Sequence, residues 1–505
     1  MKNIFIIVII YLFLPITIYS QYNNIWLLGT KYGQYQTYPK YGLNFFNNQP
    51  DTFTHFRAMP FFLTNSSYCD FNGNLLFASN GIYISNANYD TLQNSTNFNP
   101  GYYTTQNLIS GLNMFQSVLF LPDPGNQSEF YVFHESSDTI TIPIVGIHKA
   151  APLSLKLSKI DLNLDNGLGG VLPNLKSITL INDTMLLGQL TACKHGNGRD
   201  WWVLAQKLND SVFYKILITP DSVQVFTQQI GFPIVWDIVG QAVFSPDGSK
   251  YVLVSQELKM DVFDFDRCNG TLYNHQHVEL PDSNFAGYTG ASISTNNKYL
   301  YINNAFYIYQ FDLSSYQIDT TIQLVAINDS FPAPIYAFFG VHSLAADGKI
   351  YITTQGGTKI LHSINHPDSS GISCDVLQHS LVLPGPGSNA SLPVFPNYNL
   401  GPLYGSACDS LSAGVEVFAA NNINLQIAPN PITDDVLHVT YKLPQNKGGT
   451  LKVFDITGKE VFKYALPPWS TLQNLNLPML SDGMYFCTVS SGVYRMSKRF
   501  VKMKE

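Results

Sequence analysis

The sequence predicts an all-β protein assembled from repeated sheets, and three observations predict it. The first is a recurring pattern: a turn bearing Asp, Asn or Gly, then a strand rich in Tyr, Trp, Phe, Val or Ile. It occurs as DFNGNLLFAS from Asp70, DPGNQSEFYVFH from Asp123, HGNGRDWWVLAQ from His195, SPDGSKYVLVS from Ser245, STNNKYLYINN from Ser294 and AADGKIYITT from Ala345. The second is spacing. From Gly198 the turn position recurs at Gly248, Asn297 and Gly348, a period of about fifty residues. The third is composition: 12% charged residues in a 505-residue chain that carries 30 Tyr and 33 Phe. Aromatic residues suit pleated, half-buried surfaces, while the abundant Gly, Asn and Pro suit turns.

Each turn pair is followed by a further strand, as in MDVFDFD (260–266), FYIYQFDL (306–313) and KILHSIN (359–365). A fourth, more polar strand such as YQIDTTIQL (316–324) completes the period. Four strands per fifty-residue period is the signature of a β-propeller blade. One such sheet leaves both faces partly uncovered, and radial stacking of blades covers them. Six blades are counted directly. A seventh, shared by the two ends, is favoured, with NIWLLG (24–29) and GLNFF (42–46) pairing near SLPVFPNY (391–398). Such closure removes open sheet edges. The longer interval before Gly198 requires an insertion or a degenerate copy. The fold class is therefore a β-propeller of six to seven four-stranded blades, followed by a small C-terminal β-sandwich.

The ends carry the targeting signals. Lys2 and the apolar run Ile4 to Ile18, with Ser20-Gln21 as cleavage point, read as a signal peptide over residues 1–20. The run is too short to span a bilayer comfortably, and no later stretch is long enough. The propeller is expected over 21–408, a linker over 409–424 and a terminal β-module over 425–505.

That module opens with Ala428-Pro429-Asn430-Pro431, continues through LKVFDITGKEV (451–461) and LNLPMLSDGMYFCTVSSG (475–492), and ends in SKRFVKMKE (497–505). Alternating apolar residues and the TGK, SDG and SSG turns are hairpin chemistry. The order of these motifs closely resembles the C-terminal sorting domain of the type IX secretion system of Bacteroidota. The residues that carry the resemblance are Pro429, Asn430, Pro431, Gly458, Lys459, Gly483, Tyr485, Lys498 and Lys502. It implies export across the outer membrane, contact with the type IX machinery, removal of the tail at the surface, and a cell-surface or extracellular location.

The body resembles WD-type repeats of the Asp-Gly kind and, over residues 24–400, a group of secreted Bacteroidota propellers associated with gliding motility. The shared segments include NIWLLG, GNLLFASNGIYI, HGNGRDWWVL, AVFSPDGSKYV, VFDFD, DGKIYI and LPVFPNY. That group implies fold and location, and transfers no catalytic residue.

The sequence names no catalytic residue and implies no cofactor. HExxH, GxSxG, P-loop and dinucleotide motifs are absent. A net charge of −7 argues against a nucleic-acid partner. His275 and His277 lie two apart in LYNHQHVEL, a spacing that puts both imidazoles on one strand face. They are a metal pair if a third ligand comes from elsewhere, and otherwise two exposed histidines of an outer strand. His195, Arg199 and Asp200 either present a polar group at a blade surface or form a tight turn before Trp201-Trp202. Asp161 with Asp165 fits a loop between blades better than a calcium loop. Asp264 with Asp266 lacks the second carboxylate partner that a glycosidase requires.

Six cysteines at wide spacing, with no CxxC, argue against a zinc ribbon or a redox motif, and Cys374 with Cys408 is the favoured disulfide. Asp-Ser/Thr-apolar triplets, similar to O-glycosylation sites of exported Bacteroidota proteins, nominate Thr91, Thr139, Thr184, Ser211, Ser222 and Ser410. The leading functional expectation is a non-catalytic binding module for an extracellular protein or polysaccharide. The rival is a secreted polysaccharide hydrolase or lyase with its active site in the propeller channel.

Overall fold

In all six repeats a carboxylate or amide oxygen accepts a hydrogen bond from the backbone N–H two residues on. The pairs are Asp70 to Asn72, Asp123 to Gly125, Asn197 to Arg199, Asp247 to Ser249, Asn296 to Lys298 and Asp347 to Lys349, all at 2.7–3.0 Å. This is the Asx-turn that makes Asp and Asn turn residues. The fifty-residue series Gly198, Gly248, Asn297 and Gly348 has φ of 75°, 74°, 63° and 80°. That left-handed conformation is open to Gly and tolerated by Asn, which is why other residue types do not occupy the position.

The computed structural model describes residues 21–29, 40–46, 49–142, 147–234, 240–255, 259–281, 288–330, 337–354, 358–384, 391–409, 425–433, 435–443, 448–456, 458–468, 470–478, 480–491 and 494–503. The signal-peptide and linker readings fall almost wholly outside these residues. The chain divides into two compact units, Met1–Leu403 and Tyr404–Glu505.

Among the described residues, the first unit holds seven antiparallel sheets and one separate two-stranded hairpin, Thr139–Ile142 with Ile147–Ala150. The first sheet is Ile25–Leu28, Lys40–Asn44 and Asp51–His55. The second is Ser66–Cys69, Leu75–Ser79 and Ile84–Ser85. The third runs Val118–Pro122, Glu129–Glu135 and Leu155–Asp161, and the last of these also pairs Gly170–Val171 and Ile178–Ile181. These additions are the insertion that lengthens the interval before Gly198.

Four regular four-stranded sheets follow. The fourth is Thr191–Lys194, Trp201–Gln206, Val212–Ile218 and Val223–Gln229. The fifth is Gln241–Phe244, Lys250–Val254, Lys259–Asp266 and Thr271–Glu279. The sixth is Ala291–Ile293, Tyr299–Asn303, Tyr307–Asp312 and Gln323–Ile327, and the seventh is Phe339–Leu344, Ile350–Thr354, Ile360–Ile364 and Val376–Val382. All six repeat turns join the first strand of a sheet to its second.

Neighbouring sheets share cores. Leu27 packs with Cys69 and Leu75 between the first and second. One cluster joins the second, third and fourth through Phe77, Phe120, Val132 and Trp201. Trp202 packs with Tyr251 and Phe263 between the fourth and fifth, and Val252 with Leu300 and Phe311 between the fifth and sixth. Tyr301 packs with Ile352 and Ile364 between the sixth and seventh. Trp26 and Tyr41 of the first sheet pack with Tyr351 and Leu361 of the seventh, so the succession returns to its start. The adjacent residues Trp201 and Trp202 serve two different cores because strand side chains alternate in direction.

The terminal sheet differs from expectation. Its strands pair with one another, and Ser391–Tyr398 contributes no described strand. Leu392 and Phe395 instead join the core of the first and seventh sheets through their side chains.

The disulfide expectation is corrected. Cys374 is a buried free thiol, so the expected bridge from it to Cys408 is not formed. Cys374 ends the short 3-10 turn Gly371–Cys374 and packs among Tyr301, Ile352 and Ile364, where burial pushes its thiol up to about 11. It serves as a small apolar core residue, and linear spacing held no information about pairing.

Among the described residues, the second unit has two sheets around a core of its own. One is Gln426–Ala428, Val436–Thr440 and Leu472–Asn476, and the other is Gly449–Asp455, Glu460–Leu466, Gly483–Ser491 and Tyr494–Lys502. Leu437, Val439, Leu451, Val453, Cys487 and Phe500 fill the core.

Candidate functional site

The opening strands of the fourth to seventh sheets lie side by side and line a cavity of about 200 Å³. The segment 391–403 runs across this end of the first unit. Ser343 donates to the Pro393 carbonyl (2.7 Å), Asn397 to that of Pro246 (2.7 Å) and the Tyr398 hydroxyl to that of Phe120 (2.8 Å). Beyond them Arg267 donates to the Gly401 carbonyl at 2.6 Å. The Tyr398 ring stands edge-on to Tyr68 at 4.9 Å and to Trp201 at 5.8 Å. Tyr22, Phe244, Phe395 and Tyr398 supply aromatic surface to the cavity, and Asn23, Ser245, Ser292 and Asn397 supply neutral polar groups. None of its described lining residues is Asp, Glu, Lys or Arg. His342 lines the cavity too; both ring nitrogens lack a described hydrogen-bond partner, and burial lowers its pKa to about 3. At neutral pH it is an uncharged imidazole.

A second cluster lies on the third and fourth strands of the fifth sheet. His275 and His277 share a strand face, as their spacing requires. Directly opposite His277 stands Asp261, the third group that sequence reasoning did not identify. His275 Nε2 is 2.6 Å and His277 Nδ1 2.9 Å from the same carboxylate oxygen, Asp261 Oδ1. Asp261 is buried, His275 half-buried and His277 open to solvent. Phe263 stacks on His275 at 4.7 Å, and Phe232 presents its edge to both imidazoles at 5.4 and 5.1 Å. Gly231 comes so close that a Cβ there would lie 3.1 Å from the Phe263 ring and 3.6 Å from His275 Nε2.

The remaining polar candidates serve turns. His195 holds the Cys268 carbonyl at 2.9 Å and accepts from the Asn197 N–H at 3.1 Å, while Asp200 takes Arg199 Nε at 2.6 Å. Asp161 accepts from the Asn163 N–H at 2.8 Å. Asp264 pairs with Lys250 and Asn274, and Asp266 closes its turn on the Cys268 N–H. Of the glycosylation candidates, Thr91 is exposed, Thr139, Thr184 and Ser222 are half-buried, and Ser211 is buried; Ser410 lies outside the described residues.

In the second unit the motif residues have structural work. Asn430 Oδ1, between Pro429 and Pro431, accepts from the Val501 N–H at 2.9 Å. Gly458 is left-handed (φ 83°), and Lys459 closes the same turn on Asp455. Gly483 begins the strand in which Tyr485 stacks on Phe500 at 5.6 Å. Lys498 lies across from Cys487 in the last strand pair. Lys502 is 1% exposed and donates to Asp435 at 2.5 Å and to the Leu477 carbonyl at 2.9 Å.

Residues 426–503 match the family model described as the secretion system C-terminal sorting domain. The C-terminal unit is a type IX sorting domain. This sorting domain implies interaction with the type IX machinery and export to the cell surface or extracellular space. Among the described residues no helix is long and apolar enough to cross a membrane. No curated protein matches the chain significantly.

Similar solved structures include a putative 6-phosphogluconolactonase from Bacteroides uniformis, with 12% identity, TM-score 0.38, and 72% of this chain and 97% of that one covered. Another from Bacteroides fragilis has 12% identity, TM-score 0.38 and coverages of 75% and 99%. Apo AztD from Citrobacter koseri has 10% identity, TM-score 0.37 and coverages of 73% and 97%.

Proposed function

We propose that the protein is a non-catalytic binding module, a seven-bladed β-propeller delivered to the cell surface or medium by its sorting domain. The seven sheets are its blades, and the packing of Trp26 and Tyr41 against Tyr351 supports their closure into a ring. The signal-peptide reading of residues 1–20 supplies the first step of the route, through the periplasm. Thr91, as the exposed glycosylation candidate, is the acceptor this reading favours.

The observation that carries the binding reading is the cavity at the end of the inner strands. Its aromatic rings and neutral Asn and Ser groups suit a polyhydroxylated ligand or a neutral peptide loop, with apolar faces for area and a few polar groups for orientation. Polysaccharide hydrolysis by the usual route needs two carboxylates flanking the scissile bond, and none is among the described lining residues. The test is a glycan and polysaccharide binding screen on the secreted protein. Saturable binding that Asn397→Ala and Phe244→Ala weaken at least tenfold supports the reading. Bond cleavage by the purified protein would replace it with the hydrolase or lyase.

A further inference from the structure

We propose that Asp261, His275 and His277 form a binding site for a divalent transition-metal ion, Zn2+ first, on the outer part of the fifth sheet. The site is independent of the cavity and of the binding reading built on it. The three ligand atoms lie within 4.8 Å of one another. Two imidazoles and one carboxylate are a donor set that suits zinc and its neighbours, whereas calcium and magnesium take oxygen ligands. A tetrahedral Zn2+ with bonds of about 2.0 Å holds its ligands about 3.3 Å apart. The observed 2.6 and 2.9 Å separations from Asp261 Oδ1 therefore need to open by about 0.7 and about 0.4 Å for the ion to enter.

Local architecture favours a built site. A buried carboxylate is costly unless it is paired, and both imidazoles point at the same oxygen of Asp261. Convergence of two nitrogens on one oxygen is the arrangement a cation would bridge. A one-residue bulge creates it. Asp264 pairs with Tyr273 but Val262 pairs with Gln276, so the second strand gains a residue between them. Asn274, inside the bulge, has φ of 48°. Without the bulge Asp261 would oppose Gln276, and both histidines would face the other side of the sheet. Stacking of Phe263 on His275, with Phe232 across both rings, fixes the imidazole planes and leaves the solvent side of His277 open. That open side leaves the fourth position to an exchangeable water.

The test uses the untagged full secreted protein, stripped with a chelator and titrated with Zn2+ against a chromophoric competitor. One equivalent is expected to bind. His277→Ala should weaken that binding at least a hundredfold; the metal-free variant, which keeps the His275 bond to Asp261, should still unfold cooperatively. Co2+ should give the visible absorption of a low-coordinate N2O site, lost in the same variant. Asp261→Asn should also lose the ion. If that variant unfolds, His275→Ala serves as the second ligand deletion. Binding of no equivalent, or equal affinity in wild type and His277→Ala, overturns the site and leaves Asp261 a hydrogen-bond acceptor for two histidines.

Discussion

Gln241 and His342 are joined by two hydrogen bonds across 101 residues of sequence. The glutamine amide donates to the His342 carbonyl at 3.0 Å, and its oxygen accepts from the His342 N–H at 3.0 Å. The same oxygen accepts from the Ala291 N–H at 2.9 Å. One buried side chain thus ties the opening strands of the fifth, sixth and seventh sheets. Gln116 does the same for the fifth sheet, exchanging two bonds with the Ala242 backbone at 2.7 and 2.8 Å.

Gln241→Leu removes these bonds and leaves two buried N–H groups and one carbonyl unpaired. Each orphaned group costs about 1–3 kcal/mol, so a loss of roughly 3 kcal/mol is expected. Denaturant unfolding of the variant measures it; a loss below about 0.5 kcal/mol would mean that the inner strands do not depend on this glutamine.

Two turn glycines with the same backbone conformation should respond differently to alanine. At Gly248 (φ 74°) a Cβ would lie 2.5 Å from Cys193 Sγ and 2.9 Å from Arg267 Cδ, whereas at Gly348 (φ 80°) the nearest atom is 3.8 Å away. Gly348→Ala pays only the left-handed strain of about 1 kcal/mol. Gly248→Ala adds overpacking and should cost about 2 kcal/mol more. Equal melting temperatures for the two variants would contradict this.

Glu135 sets a pH dependence. Burial pushes its carboxyl from 4.5 to about 8, against the bond it accepts from the Gly188 N–H at 3.0 Å. A raised folded pKa means stability that is complete below pH 4.5 and declines as pH rises to about 8. Glu135→Gln should therefore flatten the curve between those values, and at pH 9 it should exceed wild type by roughly 5 kcal/mol. Parallel stability profiles for the two proteins would refute the assignment.

His134 and His342 act at the acid end. Burial lowers both from 6.5 to about 3. Their stability contribution is complete above pH 6.5 and lost as pH falls toward 3. His342→Leu should be less acid-sensitive than wild type in chemical unfolding at pH 7 and pH 4.5. An unchanged difference between the two pH values would show that the imidazole protonates freely in the folded state.

Most of the β architecture was legible because its cause is local. Turn chemistry at Asp70, Asp123, Asn197, Asp247, Asn296 and Asp347 marks the first hairpin of six sheets, and the run from Trp201 to Ala205 reads as a strand buried on both faces. Pairing that depends on long-range geometry was not legible. Nothing in the sequence around Cys374 sets it apart from a bridging cysteine, yet its place among Tyr301 and Ile352 keeps it a free thiol. The cluster of Asp261, His275 and His277 shows the same limit at closer range. His275 and His277 announce themselves by spacing, but the residue opposite them depends on a bulge at Asn274, and one Asn within a strand pattern does not reveal the register shift it makes. The closing of the first sheet by side chains of Leu392 and Phe395, without a strand, likewise follows from packing.

Export by the C-terminal unit is the central claim, and transplanting that unit tests it most directly. Residues 425–505, which hold a core of their own, are fused behind a soluble periplasmic reporter in a host with a type IX machinery. The fusion is predicted to reach the cell surface or the medium, and to stay in the periplasm when the machinery is disabled. A fusion retained in the periplasm of the intact host, while the native protein leaves it, would contradict the account.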